Sequence, residues 1–433
     1  MTVKTNRIAL STVLIILTFS LPLSSFQTWN FSALITSQGR IIAIDSEQYL
    51  TSYTVYVVSG TYYGKNANGL NEFNGTDAAT VIQDTIDNGY SVFITAGTYP
   101  ISRDIIVKSD LEVYGCGVTT KLVAATDSIA IFNTTSTISI ANFTLRDMWL
   151  QGIGGADSIN IRLMNTNYST LSNLRVTNAG RHGIYLQTNC YHNMIIGNTV
   201  INNGWSGICL SGGSLPNTVE YNIVKGNIAS GNGWHGIQLG ERSNYNVVAD
   251  NIAKNNGASA PGDGAGIMLG AATQNSITGN MLYDNINAGI WVEDNSGFNV
   301  LSGNTIYSEG QGIYLYGVSN NTIIGNTIQG NGVGVNSDGI LVYHPSIASL
   351  NNVFEANIIY NCGRDGLLIY GTNDNNIVSN NRVMGNVEWG IRDLGDRSIF
   401  IGNYVTGNSV GGIKTVGVNT KVNLCYNGTN WIP

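Results

Sequence analysis

A chain of 433 residues with 11% charged side chains, 53 glycines, 6 prolines and a net charge of −7 is too apolar for disorder, and it has no basic balance to meet nucleic acid. Its five cysteines, Cys116, Cys190, Cys209, Cys362 and Cys425, are odd in number and far apart, with no CxxC or CxxH pair among them. That spacing indicates neither a disulfide framework nor a zinc site, and reads as small buried hydrophobes.

The chain starts with Lys4 and Arg7, an apolar run from Ile8 to Leu23, and then Ser24 and Ser25. That order predicts a secretory signal over residues 1–25, with a retained N-terminal anchor as the alternative, and the run is short for a spanning helix. The expected location is therefore outside the cell or at its surface, with membrane attachment through the N-terminus only. Asn-x-Ser/Thr sequons at Asn30, Asn74, Asn133, Asn142, Asn167, Asn320 and Asn427 fit an exported glycoprotein.

Residues 26–70 read as a linker followed by a hairpin, since Tyr53 to Tyr63 alternates around a Ser-Gly turn. Asp77 then offers an N-cap, and Val81, Ile82 and Ile86 fall at helical spacing over residues 77–87. Short strands follow at 91–97, 101–107 and 111–117. This stretch, GTDAATVIQDTIDNGYSVFITAGTYPIS followed by IIVKSDLEVYGCG, resembles the N-terminal entry module of the pectate-lyase-like superfamily. The resemblance covers residues 71–125. It implies an all-β fold, a right-handed parallel β-helix in which the helix caps the first coil.

From residue 126 to 433 the chain reads as β-helix repeats, irregular up to about residue 180. A Gly-Ile-x-Leu tetrapeptide then returns ten times, from Gly183 through Gly207, Gly236, Gly266, Gly289, Gly312, Gly339, Gly366 and Gly390 to Gly412. The intervals of 24, 29, 30, 23, 23, 27, 27, 24 and 22 residues are those of a solenoid. An Asn, among them Asn198, Asn222, Asn251, Asn304 and Asn381, follows most of the Gly-Ile pairs by 15 residues. Another Asn lies five residues earlier, as Asn193, Asn217 and Asn246 do. Apolar Ile and Leu columns should form the core, and stacked Asn amides should satisfy the corners. The repeat resembles those of carbohydrate-active and periplasmic copper-binding-protein-type β-helix families.

Departures from the period mark the candidate site. Extra residues before Gly236, Gly266 and Gly339 are expected at one corner, walling a groove beside the Gly-Ile-x-Leu strand. Outward positions of that strand form an aromatic stripe in which Trp291, Tyr314, Tyr316, Tyr343 and Tyr370, with Glu293 at one end, suit the C–H faces and hydroxyls of a glycan. Asp338 and Asp365 each precede a repeat Gly, so they share a slot on adjacent rungs roughly 5 Å apart. Two such carboxyls push one pKa up, and a pair of this kind serves glycoside chemistry. His344, Arg364 and Arg392 are the candidate sugar contacts of that catalytic set. His182 and His235 share the same slot two rungs apart but have no ligand-like spacing.

The resemblance thins at the catalytic motifs. Asn165-Thr166-Asn167, Arg181-His182-Gly183 and Gly412-Ile413-Lys414 each lack a key residue of a polygalacturonase-like site. An epimerase-like site should show Asp-Pro-His, and the nearest approach to it is Tyr343-His344-Pro345. Two functions are therefore open: a non-catalytic, exported glycan-binding protein, or a polysaccharide hydrolase, lyase or epimerase. The expected partner is a polysaccharide. No cofactor or metal is expected, with calcium among the Asp and Asn corners as the one alternative.

Overall fold

The computed structural model describes residues 52–432 apart from Pro261, Glu309 and 331–336. Ahead of these it gives only the backbone of Leu17–Phe19, Phe31–Ile35 and Ile41–Ile44, paired as an antiparallel sheet. The rest of the predicted signal and linker lies outside the described residues.

Each coil places its Gly-Ile-x-Leu strand directly on that of the next. The front sheet so formed has 13 parallel strands, from Ile105–Ile106 to Gly411–Thr415. Ile184, Ile208, Ile237, Ile267, Ile290, Ile313 and Ile340 are register partners in sequence, and all are fully buried. Burying such a side chain is worth about 1.5–3 kcal/mol, so the column is the core rather than a site. The repeat Gly is fixed by close approach. A Cβ on Gly207 would lie 2.6 Å from Asn232 Nδ2 and 2.8 Å from the Gly236 carbonyl oxygen.

Two further parallel sheets close the coil, one through Met194–Ile196, Ile223–Lys225 and Val247–Ala249, the other through Thr199–Ile201, Ile228–Ser230 and Ile252–Lys254. At the corners Asn ladders run along the axis. Asn198 Nδ2 donates to Asn227 Oδ1 at 3.0 Å, the Asn198 backbone N–H donates to the same oxygen at 2.9 Å, and Asn227 repeats both bonds to Asn251. Most of these amides also donate to a carbonyl of the preceding rung, as Asn227 Nδ2 does to Ile195. The ladder Asn residues are nearly all fully buried, and nearly all their polar atoms are used, Asn408 Nδ2 at the C-terminal end being an exception. The left-handed turn falls not on these Asn but on the residue before, with φ 66° at Gly197, 65° at Gly226 and 55° at Asp250.

This pairing corrects one register. Asn222 bonds to Asn193 and Asn246, so it belongs to the first ladder, and Asn227 takes the central slot. The extra residues of that coil therefore lie after the strand Ile208–Ser211, at the opposite corner. The insertion before Gly266 keeps the expected corner, and the one before Gly339 falls mainly on residues 331–336, outside the described residues.

The hairpin forms from Ser52–Val58 and Thr61–Asn66, with Ser59 and Gly60 both at positive φ in the turn. The helix spans Ala78–Asn88 and buries Val81, Ile82 and Ile86 in the same apolar cluster as Val92 and Ile94. Asp77 stands before it, and its carboxylate accepts hydrogen bonds from the Thr80 and Ser102 hydroxyls at 2.7 and 2.8 Å. Among the described residues no helix is long and apolar enough to cross a membrane.

Candidate functional site

The residue before each repeat Gly stands at the entry edge of the front sheet. Its side chain is buried in most coils, as at His182, His235, Gln311, Asp338 and Asp365. This column has a backbone task. His235 Nδ1 accepts the Ala265 N–H at 3.2 Å, Gln311 Oε1 the Asp338 N–H at 3.0 Å, and Asp338 Oδ1 the Asp365 N–H at 3.0 Å. Asp365 Oδ1 in turn accepts the Trp389 N–H at 2.9 Å.

Asp338 and Asp365 do share one slot on adjacent rungs, but each is held in place by the next coil. The Arg364 guanidinium grips Asp338 with two bonds, Nε to Oδ1 at 2.8 Å and Nη2 to Oδ2. Arg392 Nη2 lies 2.6 Å from Asp365 Oδ2 and 3.4 Å from Glu388. Both carboxylates are closed to solvent, which removes the openness expected of a paired-carboxylate centre. Burial raises the Asp365 pKa to about 6, while the Trp389 N–H and Arg392 pull it down and Asp338 pushes it up. His182 and His235 are likewise held neutral, with pKa values lowered to about 3 and about 4 chiefly by burial.

The opposite edge is built differently. Trp291 was expected on an exposed stripe, yet it is only 8% exposed, packed with Ala265, Met268 and Ala288 and covered by Tyr314 and Tyr316. Its ring lies 5.2 Å from Tyr314 and 6.4 Å, edge-on, from Tyr316. Leu341 and Leu368 continue the same column and are also buried. The stripe opens only further along the rungs: Tyr316 and Tyr343 are half-buried and Tyr370 is 48% exposed. His344 packs on Tyr316 at 4.3 Å, and its Nδ1 accepts the Ser346 and Ile347 N–H groups. It lies past the far end of the strand Ile340–Val342, whereas Asp338 precedes that strand, so the two cannot act on one bond.

A cavity of about 360 Å³ opens on this face, lined by Asn287, Gln311, Tyr314, Leu341, Tyr343, Arg364, Leu368 and Tyr370. It brings together four of the expected residues: Tyr314, Tyr343, Tyr370 and Arg364. Asn287 and Gln311 were not anticipated, although Gln311 occupies the same slot that singled out the two aspartates.

Beyond Trp291 lies an acidic end. Glu293 is pushed up to about 7, first by burial, then by Asp294 and Asp263. Asp263 is raised by burial and by Asp294. Asp263 comes from the insertion before Gly266 and is near enough to act on Glu293 electrostatically. Asp294 leans over Gly270, where a Cβ would sit 3.9 Å from its Oδ2. Among the described residues no group of three or more His, Cys, Asp or Glu is placed to hold a metal ion.

A family model described as "Right handed beta helix region" matches residues 68–235, 220–300 and 262–410. No curated protein sequence matches significantly. Among solved structures, the A-module of mannuronan C-5 epimerase AlgE4 from Azotobacter vinelandii is similar at 18% identity and a TM-score of 0.56, over 80% of this chain and 96% of that one. The catalytic domain of a GH87 α-1,3-glucanase in complex with nigerose is similar at 16% identity and a TM-score of 0.56, over 79% and 67%. The pre-mature gene product 12 of bacteriophage phi29 reaches a TM-score of 0.65 at 15% identity, over 81% and 55%. At these identities the likeness is one of fold.

Proposed function

The chain belongs to the right-handed β-helix family, and from that premise we propose that it is an exported glycan-binding protein. The polysaccharide lies along the front sheet between Glu293 and Tyr370. One observation carries the reading: the 360 Å³ cavity combines the rings of Tyr314, Tyr343 and Tyr370 with Leu341, Leu368, two amides and one guanidinium. Apolar walls with a few convergent polar groups make a ligand site, and aromatic faces beside amides match a sugar ring and its hydroxyls. Two of the structural neighbours are enzymes of polysaccharides by name, which supports this class of partner. The test is retention of the protein in polysaccharide affinity gels, with Tyr343→Ala and Tyr370→Ala each weakening retention while the melting temperature is kept.

A second reading rests on Glu293. A carboxyl that holds its proton near pH 7 beside two others can act as a general acid while a neighbour stays ionised. The polysaccharide would then be cleaved at the acidic end of the groove, with Glu293 in the role that the sequence suggested for Asp338 and Asp365. Release of new reducing ends, abolished by Glu293→Gln with binding retained, supports this reading; binding without any product rejects it.

A further inference from the structure

The charges around the groove narrow the class of glycan. Between Lys254 and Arg364 the sequence contains no Lys or Arg but seven Asp or Glu residues. These rungs form the Trp291–Tyr343 part of the groove.

The two arginines next to the cavity are already engaged. Arg364 pairs with Asp338, and Arg392 with Asp365 and Glu388. The acidic end has no cation among the described ion pairs, and Glu293 and Asp263 are each raised first by burial and then by their carboxylate neighbours. Tyr314, in the middle of the stripe, has its pKa raised first by burial, with Glu293 among the further causes, so a negative charge is disfavoured there.

From this distribution we infer that the groove takes a neutral polysaccharide, built of uncharged hexoses, and that Asp263, Glu293 and Asp294 exclude polyuronates and sulfated chains. The inference rests on the glycan-binding reading and adds the substrate class. A polyanion laid along the stripe would bring like charge against partly desolvated carboxyls with no free cation to receive it. A neutral chain meets the same carboxyls as hydrogen-bond acceptors for its hydroxyls.

The test is affinity electrophoresis of the full chain against two panels: soluble neutral glucans and glucomannans, and alginate and polygalacturonate. The expected result is retention by at least one neutral polymer, insensitive to salt, and none by the polyuronates. In the triple variant Asp263→Asn, Glu293→Gln, Asp294→Asn, polyuronate affinity should rise by roughly tenfold or more as the repulsion is removed. Wild-type protein that binds a polyuronate as tightly as any neutral polymer overturns the inference and leaves the glycan reading standing. Retention by neither panel overturns the glycan reading and this inference with it.

Discussion

The two edges of the front sheet hold carboxyls in opposite ways. At the entry edge Asp338 and Asp365 each have an arginine from the next coil and a backbone N–H to accept. At the far edge Glu293 has no arginine among the described ion pairs, and its proton affinity is raised first by burial and then by Asp294 and Asp263. A carboxylate whose bonds all go to its own coils serves the fold. One with only like-charged neighbours is available to a ligand. The comparison also explains why two acidic residues in a repeating slot mislead: repetition is what a ladder needs, whereas a binding site needs a break in it.

The largest effect expected from breaking this contrast is at Asp338. Asp338→Ala leaves Arg364 without its buried partner and the Asp365 N–H without its acceptor. The cost should be about 3–5 kcal/mol, read as a sharp drop in melting temperature. Asn280→Ala opens the central ladder between Asn251 and Asn304 and should cost about 1–3 kcal/mol in denaturant unfolding. A wild-type stability at this position would contradict the role given to the ladders.

The pH dependence of stability comes next. Glu293 is raised to about 7, and Asp365 and Asp393 to about 6, mainly by burial in each case. The folded protein therefore holds protons that the unfolded chain has already released. Stability should fall as pH rises from about 4 to about 7 and level off above, which thermal melts across that range will show. The smallest effect is at Glu293 itself. Glu293→Gln should flatten the upper part of that profile and leave the melting temperature at neutral pH unchanged or slightly higher, the reverse of Asp338→Ala.

Much of this fold was legible because the coil is a period. The Ile column and the close approach at Gly207 leave their mark in every repeat, and the Asn spacing of five residues follows directly from the ladders. Interval counting failed at Asn222 because it records that a coil is long, not which corner holds the excess. Alternation placed Trp291 on the outward side correctly but said nothing of what covers it. The ion pairs were encoded more openly: Arg364 follows Asp338 by 26 residues and Arg392 follows Asp365 by 27, each close to one coil. Counted in rungs, each arginine already sits beside its aspartate. The clustering of Asp263 with Glu293 depends on the path of an insertion, and no repeat records it.

The central claim, that function lies on the aromatic edge and not at the entry-edge carboxyls, has a direct measurement. The double variant Tyr343→Ala/Tyr370→Ala is compared with wild type for affinity to the polysaccharide that wild type retains, with melting temperature followed in parallel. Each ring contact is worth about 1 kcal/mol, so the loss should be roughly tenfold or more with the fold intact. Undiminished affinity in a folded double variant would contradict the account.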